Sequence, residues 1–427
     1  MPAENMRFIY LACPWTPKGG GMYKVADYLI QAQAAQSPQS PQTPQTQHAS
    51  AGSASTQGPA PSAAAALCPL DTRGDGPALS SLGVLAKALV LLLRGRASGR
   101  LAGVHVNMAE RLSLLRKGTV VVACRALGVP VVLHLHAAQL HHFYRRLPAP
   151  LRALTRWVFS LATSVVVLGA ASKRFVTEEL GVIPGQVEIL INGVPEPSVA
   201  RRLAPGPVLQ LLFVGNLSDR KGVPELLQAM ALPDVAALPL SLTLAGGGDV
   251  AGYTAQARAL GLASDRVRFA GWSDQAAVAR CMAEADMLVL PSHDEGLPLV
   301  ILEALANGVA VVCTPVGEIP SVLNNGETAL LVPPGNVAAL GEALRTLALD
   351  AKLRERLERS GRALYAQHFS LARFFAGVAR IHRRHFGVAA PPAQTLQALP
   401  EASWPQPRPV AAAGQSAQPV GGLGAQP

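Results

Sequence analysis

Two carboxylates with seven residues between them stand in the run His293-Asp294-Glu295-Gly296-Leu297-Pro298-Leu299-Val300-Ile301-Leu302-Glu303. Residues 287–291 read as a strand and 292–297 as a loop. A helix then opens at Pro298, a first helical position where the missing N–H has no partner to lose. Glu295 is thereby held at the carboxyl end of a strand and Glu303 more than a turn into a helix, the region where open α/β sheets bind ligands. An earlier group, Val214-Gly215-Asn216-Leu217-Ser218-Asp219-Arg220-Lys221-Gly222, supplies the opposite charge. Carboxylates accept hydrogen bonds from sugar hydroxyls, while Arg220 and Lys221 offer positive charge to a diphosphate between them. Taken singly, a solvated helical glutamate and a surface Arg-Lys pair would look the same; taken together, they suit a nucleotide sugar.

Strands alternating with helices must position these groups. In the first half the pattern predicts strands over 7–12, 104–106, 129–135 and 164–168, with helices over 20–31 and 118–127. In the second half it predicts strands over 208–214, 240–245, 267–270, 287–290, 309–313 and 329–332. Such alternation implies parallel sheets and two Rossmann-like α/β domains. Pro205-Gly206-Pro207 is a linker signal, which places an N-terminal domain over 1–200 and a second over 207–370. Residues 31–65 are Gln, Pro, Ser, Thr and Ala without a hydrophobic period. They and the Pro-, Ala-, Gln- and Gly-rich tail 389–427 are expected to be disordered.

Gly19-Gly20-Gly21 follows the first strand and opens a helix, so its backbone N–H groups can approach a phosphate; a plain tight turn is the alternative. Gly246-Gly247-Gly248 follows the strand over 240–245. His134 and His136 share a strand face, but no third ligand at matching spacing completes a metal site. Asn192-Gly193-Val194 is a turn of low specificity.

Composition sets the bounds. At 427 residues, two domains are expected, and 49% apolar against 15% charged residues suits a well-buried α/β enzyme. Five scattered cysteines without a Cys-x-x-Cys pair argue against a disulfide framework or zinc site and for a reducing cytoplasm. No signal-peptide layout or membrane-spanning run is read. The net charge of +10 is uneven: residues 1–200 hold 18 Lys and Arg against 9 Asp and Glu, whereas 201–427 hold 19 against 18. Within 94–174 there are 13 basic residues and one acid, Glu110, a field that favours anionic partners. Few aromatics and no recognised module argue against nucleic acid as the partner.

These motifs resemble glycosyltransferase family 4, retaining sugar transferases of the GT-B fold, over most of residues 6–388, and in particular its exopolysaccharide-type members. The resemblance implies two Rossmann-like domains facing each other across a cleft, with a helix over 371–388 crossing back to the first. It implies that Arg220 and Lys221 contact the diphosphate, Glu295 the donor sugar and Glu303 the ribose, with His136 beside the donor phosphate and sugar. Gly20, Gly21, Gly215, Asn216, Gly246, Gly296 and Leu297 would complete the donor site. His105, Arg111, Arg116 and Lys117 would face the acceptor, and Asn192-Gly193-Val194 would sit at the interdomain hinge. Glu318 stands where relatives often have glycine, and Ser321 where many carry an acid. The reaction implied is metal- and cofactor-independent transfer from a nucleotide diphosphate sugar to a glycan or polyprenyl-pyrophosphate-linked acceptor, in exopolysaccharide or envelope-glycan assembly. The enzyme would work in the cytoplasm or on the inner face of an anionic membrane. An epimerase of the same fold, acting without acceptor, is the alternative.

Overall fold

Strands buried on both faces lose the polar alternation of a half-exposed strand, and the chain's most apolar runs take that place in a computed structural model. The structure describes residues 6–16, 20–36, 65–76, 80–202 and 206–388. In the first half, β1 (Phe8–Cys13), β2 (Ala66–Asp71), β3 (Leu101–Met108), β4 (Val131–Leu135), β5 (Ser164–Val167) and β6 (Val187–Ile189) form one sheet in the order β2-β1-β3-β4-β5-β6. In the second, β7 (Leu209–Val214), β8 (Leu240–Ala245), β9 (Val267–Gly271), β10 (Met287–Leu290), β11 (Ala310–Cys313) and β12 (Leu330–Leu331) form another, ordered β12-β11-β10-β7-β8-β9. Both sheets are parallel throughout. Every residue of β3, β4, β5, β10 and β11 is buried.

Each order reverses direction once, between β1 and β3 in the first sheet and between β7 and β10 in the second. Crevices outside the carboxyl ends of the strands at such reversals are where open α/β sheets take ligands. The residues following all four strands meet in one cleft.

Several elements depart from the sequence reading. The first helix, α1 (Gly20–Gln36), runs past residue 31. Its Gln33 side chain donates to Ala65 O at 2.9 Å and accepts from Leu67 N at 2.7 Å, which fastens it to β2. The remainder of the expected disordered stretch, 37–64, and the tail 389–427 lie outside the described residues. Strand β2 was obscured by Pro69, which an edge strand tolerates. Helix α2 (Ser80–Ala97) precedes β3, and α3 (Leu112–Ala126) starts six residues before the expected Gly118. Helices α4 (Leu140–Arg145) and α5 (Ala149–Ser160) fill the connection from β4 to β5.

The helix Leu371–Phe386 lies against the first sheet. Its Phe374, Phe375 and Val378 pack with Leu11, Val25 and Leu29, and its Ile381 and Phe386 with Ile9, Val132 and Val166. Val194 N donates to Phe369 O and Leu371 N to Val194 O, both at 2.9 Å, which ties the Asn192-Gly193-Val194 turn to the start of this helix.

Candidate functional site

The loop after β7 is drawn onto the end of β10 by a glycine. Gly222 has φ 70°, and a Cβ there would lie 2.1 Å from Pro291 O, so only glycine lets the two backbones touch. His293 N then donates to Arg220 O at 2.8 Å, and Arg220 Nη1 to Asp294 O at 2.7 Å. The same approach brings Lys221 into an ion pair with Glu295, whose Oε1 also accepts from Ser292 Oγ at 2.7 Å. On the far side Gly317, at φ 59°, stands where a Cβ would meet Glu295 O at 2.0 Å, and Glu318 N donates to Gly296 O at 2.9 Å. The Glu295–Gly296 segment is therefore braced from both neighbours. Glu303 follows in the helix Leu299–Asn307, with Pro298 as its cap residue.

Helix α1 meets this loop from the first half. Lys24 Nζ lies 2.5 Å from Glu303 Oε1, and one turn later Tyr28 Oη donates to the same oxygen at 3.3 Å. His136 N donates to Met108 O at 2.8 Å, and its ring Nε2–H to Asn107 Oδ1 at 2.8 Å, which leaves Nδ1 as an acceptor. Burial of the ring, with His105 and Lys117 nearby, pushes the His136 imidazole down to about 3, so it is neutral at pH 7. Together these groups wall a cavity of about 400 Å³ lined by Gly21, Lys24, Glu110, His136, Asn192, Arg220, Lys221, Glu295, Gly296, Leu297 and Glu303. The Asn192 side-chain oxygen is buried there with no protein hydrogen-bond partner.

A second cavity, of about 510 Å³, shares Ala138, Glu295 and Gly296 with the first. Its other walls are His141, His142, Arg145, Arg174 and Glu178 from the first half, and His293, Asp294 and Glu318 from the second. Arg145 pairs with Glu179 at 2.5 Å and holds that carboxyl below its usual range. Glu318 is 2% exposed and accepts from Ser172 N at 2.6 Å and Ala171 N at 3.3 Å, so a carboxylate of the second half caps a helix start of the first.

The structure brings Gly21, His136, Arg220, Lys221, Glu295, Gly296, Leu297 and Glu303 into one cavity, with Gly20 beside it as the first residue of α1. Gly215, Asn216 and Gly246 do not line it. Gly215 and Gly246 pack backbone to backbone, and Asn216 is exposed. Lys24 was missed, although a lysine one turn into a helix opened by glycines is a readable signal for a group aimed at the same ligand.

The four expected acceptor-side residues stand elsewhere. His105 is 0% exposed, bonded through Nδ1 to His382 at 2.8 Å and through Nε2 to His134 at 3.2 Å. Central strand β3 is covered by the helix Leu371–Phe386, and burial pushes the His105 imidazole down to about 4. Lys117 is 1% exposed, with Nζ 3.5 Å from Met22 Sδ, and burial lowers its ammonium to about 7. Both sit inside the first half, not on a wall of either cavity. Arg116 is lowered by burial and by Arg73, and its Nε is buried without a partner. Arg111 is exposed at the start of α3 and is the only non-glycine residue with positive φ (60°) among the described residues. Also among the described residues, no group of three or more His, Cys, Asp or Glu is placed to hold a metal ion.

Residues 199–364 match the family model described as Glycosyl transferases group 1. A glycogen synthase of Mycobacterium tuberculosis is 28% identical over 263 residues, covering 60% of this chain and 63% of the relative, so the match spans less than two thirds of that protein's length. Sucrose-phosphate synthase from Thermosynechococcus elongatus superposes with a TM-score of 0.69 at 20% identity, covering 88% of this chain and 98% of the other. HepE of Anabaena, in complex with UDP, gives 0.63 at 18% identity, covering 88% and 99%. With two parallel six-stranded sheets facing one cleft, these likenesses define the fold as GT-B.

Proposed function

We propose that this chain is a retaining glycosyltransferase that moves a sugar from a nucleotide diphosphate sugar to a glycan or lipid-linked acceptor. The observation that carries the reading is the pair of cavities joined at Glu295 and Gly296, one edged with phosphate- and hydroxyl-binding groups, the other polar and open to a second substrate. In the first, Arg220, Lys221 and the N-terminus of α1 at Gly20 and Gly21 take the diphosphate. Glu303 accepts from the ribose hydroxyls, a role for which Lys24 must yield. Glu295 and the free Nδ1 of His136 accept from hydroxyls of the sugar. The UDP held by HepE supports a nucleotide in this cleft.

Transfer breaks the bond between the anomeric carbon and the diphosphate oxygen, and the sugar gains oxocarbenium character. The acceptor oxygen enters from the second cavity on the face the diphosphate leaves. Its proton passes to the departing phosphate oxygen, so configuration is retained. Arg220 and Lys221 stabilise the charge that gathers on the diphosphate, a contribution that in enzymes generally is worth about 10²–10³ in rate per donor group. Among the described residues no carboxylate cluster is placed to hold a cation at the diphosphate, so turnover is expected to persist in EDTA; loss on chelation with recovery on adding manganese or magnesium would overturn that part. The strongly basic first half suits an acceptor carrying a lipid pyrophosphate at the inner face of a membrane, as in exopolysaccharide or envelope-glycan assembly.

The test is incubation of the purified chain with a panel of nucleotide sugars, scoring nucleotide release with and without sugar or lipid-pyrophosphate acceptors. Acceptor-dependent release with an α-to-α or β-to-β product supports the reading. Release of free, altered sugar without acceptor would show the epimerase instead.

A further inference from the structure

Helices α3 and α5 leave an apolar groove of about 540 Å³ on the outside of the first half. On α3, Leu112 and Leu115 are 56% and 64% exposed; on α5, Leu151, Leu154 and Trp157, each three residues after the last, are 45–46% exposed. Large side chains aligned in this way form one contiguous patch, and patches of this kind on soluble proteins mark interaction surfaces. The groove also adjoins both cavities. Ala109 and Glu110 line the donor cavity and Arg111 the groove, while α4 turns His141 and Arg145 into the second cavity and Phe143 into the groove.

The rim is basic. Arg111 lines the groove, and Arg146 and Arg152 are exposed next to its lining residues Leu147 and Leu151, whereas Glu110 is the only acid between residues 94 and 174. A second copy of the chain would press the same cations against themselves. No helix among the described residues is long and apolar enough to cross a membrane. We infer that the α3–α5 groove is a docking surface for an anionic lipid bilayer, with the leucines and Trp157 entering the interface and the arginines on the headgroups. Docking there sets the opening of the second cavity beside the membrane, where a pyrophosphate lipid presents its head. This deepens the lipid-linked acceptor reading and rests on it.

The experiment is co-sedimentation of the full chain with vesicles of phosphatidylcholine containing about one third phosphatidylglycerol, and with phosphatidylcholine alone, at low and high salt. Wild type is expected to bind the anionic vesicles at low salt and to be released by high salt. The combined variant Leu115→Gln, Leu154→Gln, Trp157→Gln should bind them at least about tenfold more weakly with an unchanged melting temperature, because all three side chains are already exposed. Arg146→Gln with Arg152→Gln should lower affinity and flatten the salt dependence. Unaltered binding by the leucine and tryptophan variant, or no binding by wild type, would overturn the inference. So would a wild-type dimer that the same variant converts to monomer. The readout needs neither donor nor acceptor, so its failure leaves the transferase reading standing, and loss of transfer to soluble acceptors leaves the docking surface standing.

Discussion

Glu295 and Glu303 each neutralise a lysine, Glu295 with Lys221 beside it in the same half and Glu303 with Lys24 across the cleft. These pairs keep four charges in place without stranding any of them where water is scarce, which a lone buried charge would make costly. A ligand carrying both hydroxyls and phosphates can exchange with all four at once. Glu295→Ala and Glu303→Ala should therefore each lower kcat/KM by about a hundredfold or more, with far-ultraviolet circular dichroism unchanged. Variants keeping half of wild-type turnover would remove these residues from the site. Glu295→Ala also strands the Lys221 ammonium, so the informative companion is Glu295→Gln, which keeps the volume and an acceptor oxygen. The two glutamates were legible because their spacing ties them to a strand end and a helix turn. The pairing of Lys24 with Glu303 and the place of Asn192 in the same cavity were not, because both depend on how two separate sheets face each other.

Strand β3 shows how an element hides its own chemistry. His105 lies between Val104 and Val106 in a strand buried along its whole length, a pattern that identifies a central parallel strand and hence an interior histidine. The covering helix carries the partner, His382, some 280 positions away, beyond the reach of local spacing. Most strands were legible within a residue or two from apolar runs, whereas β2 was masked by Pro69 and by the low-complexity stretch before it. The buried histidines predict a pH response. An imidazole ordinarily near 6.5 and held at about 4 in the fold stays neutral while the unfolded chain takes up a proton. Stability is therefore complete above about 6.5 and falls as pH drops toward 4, by up to about 1.4 kcal/mol per pH unit for each such histidine. The urea midpoint should decline steeply between pH 6.5 and 4. His105→Phe or His382→Phe, whatever it does at pH 7, should flatten that decline; an unchanged slope would place the titrating groups elsewhere.

At the scale of the whole molecule, the two halves are held at the cleft by polar contacts and by Tyr28, Leu168 and Leu299, which pack across it, and at the back by a strap. The strap is the helix Leu371–Phe386, whose apolar residues are buried in the first half while its entry residues pair with Val194. In front stand Lys24 with Glu303 and Glu318 with the backbone of Ala171 and Ser172. The strap is large and apolar and stays shut, whereas the polar front contacts are exchangeable, an arrangement suited to hinge opening about the Asn192-Gly193-Val194 turn. Glu318 is the sharper probe, because it is fully buried, bonds only backbone N–H groups across the cleft and lies outside the donor cavity. Glu318→Ala leaves those donors unpaired at a cost of about 1–3 kcal/mol, which falls on the closed form and not on either half alone. The variant should scatter X-rays with a larger radius of gyration than wild type, and a nucleotide diphosphate should reverse much of the difference by drawing the halves together through Arg220, Lys221 and the start of α1. Its KM for acceptor should rise more than its KM for donor, because Glu318 walls the second cavity. An unchanged radius with an unchanged acceptor KM would mean that closure does not depend on this contact.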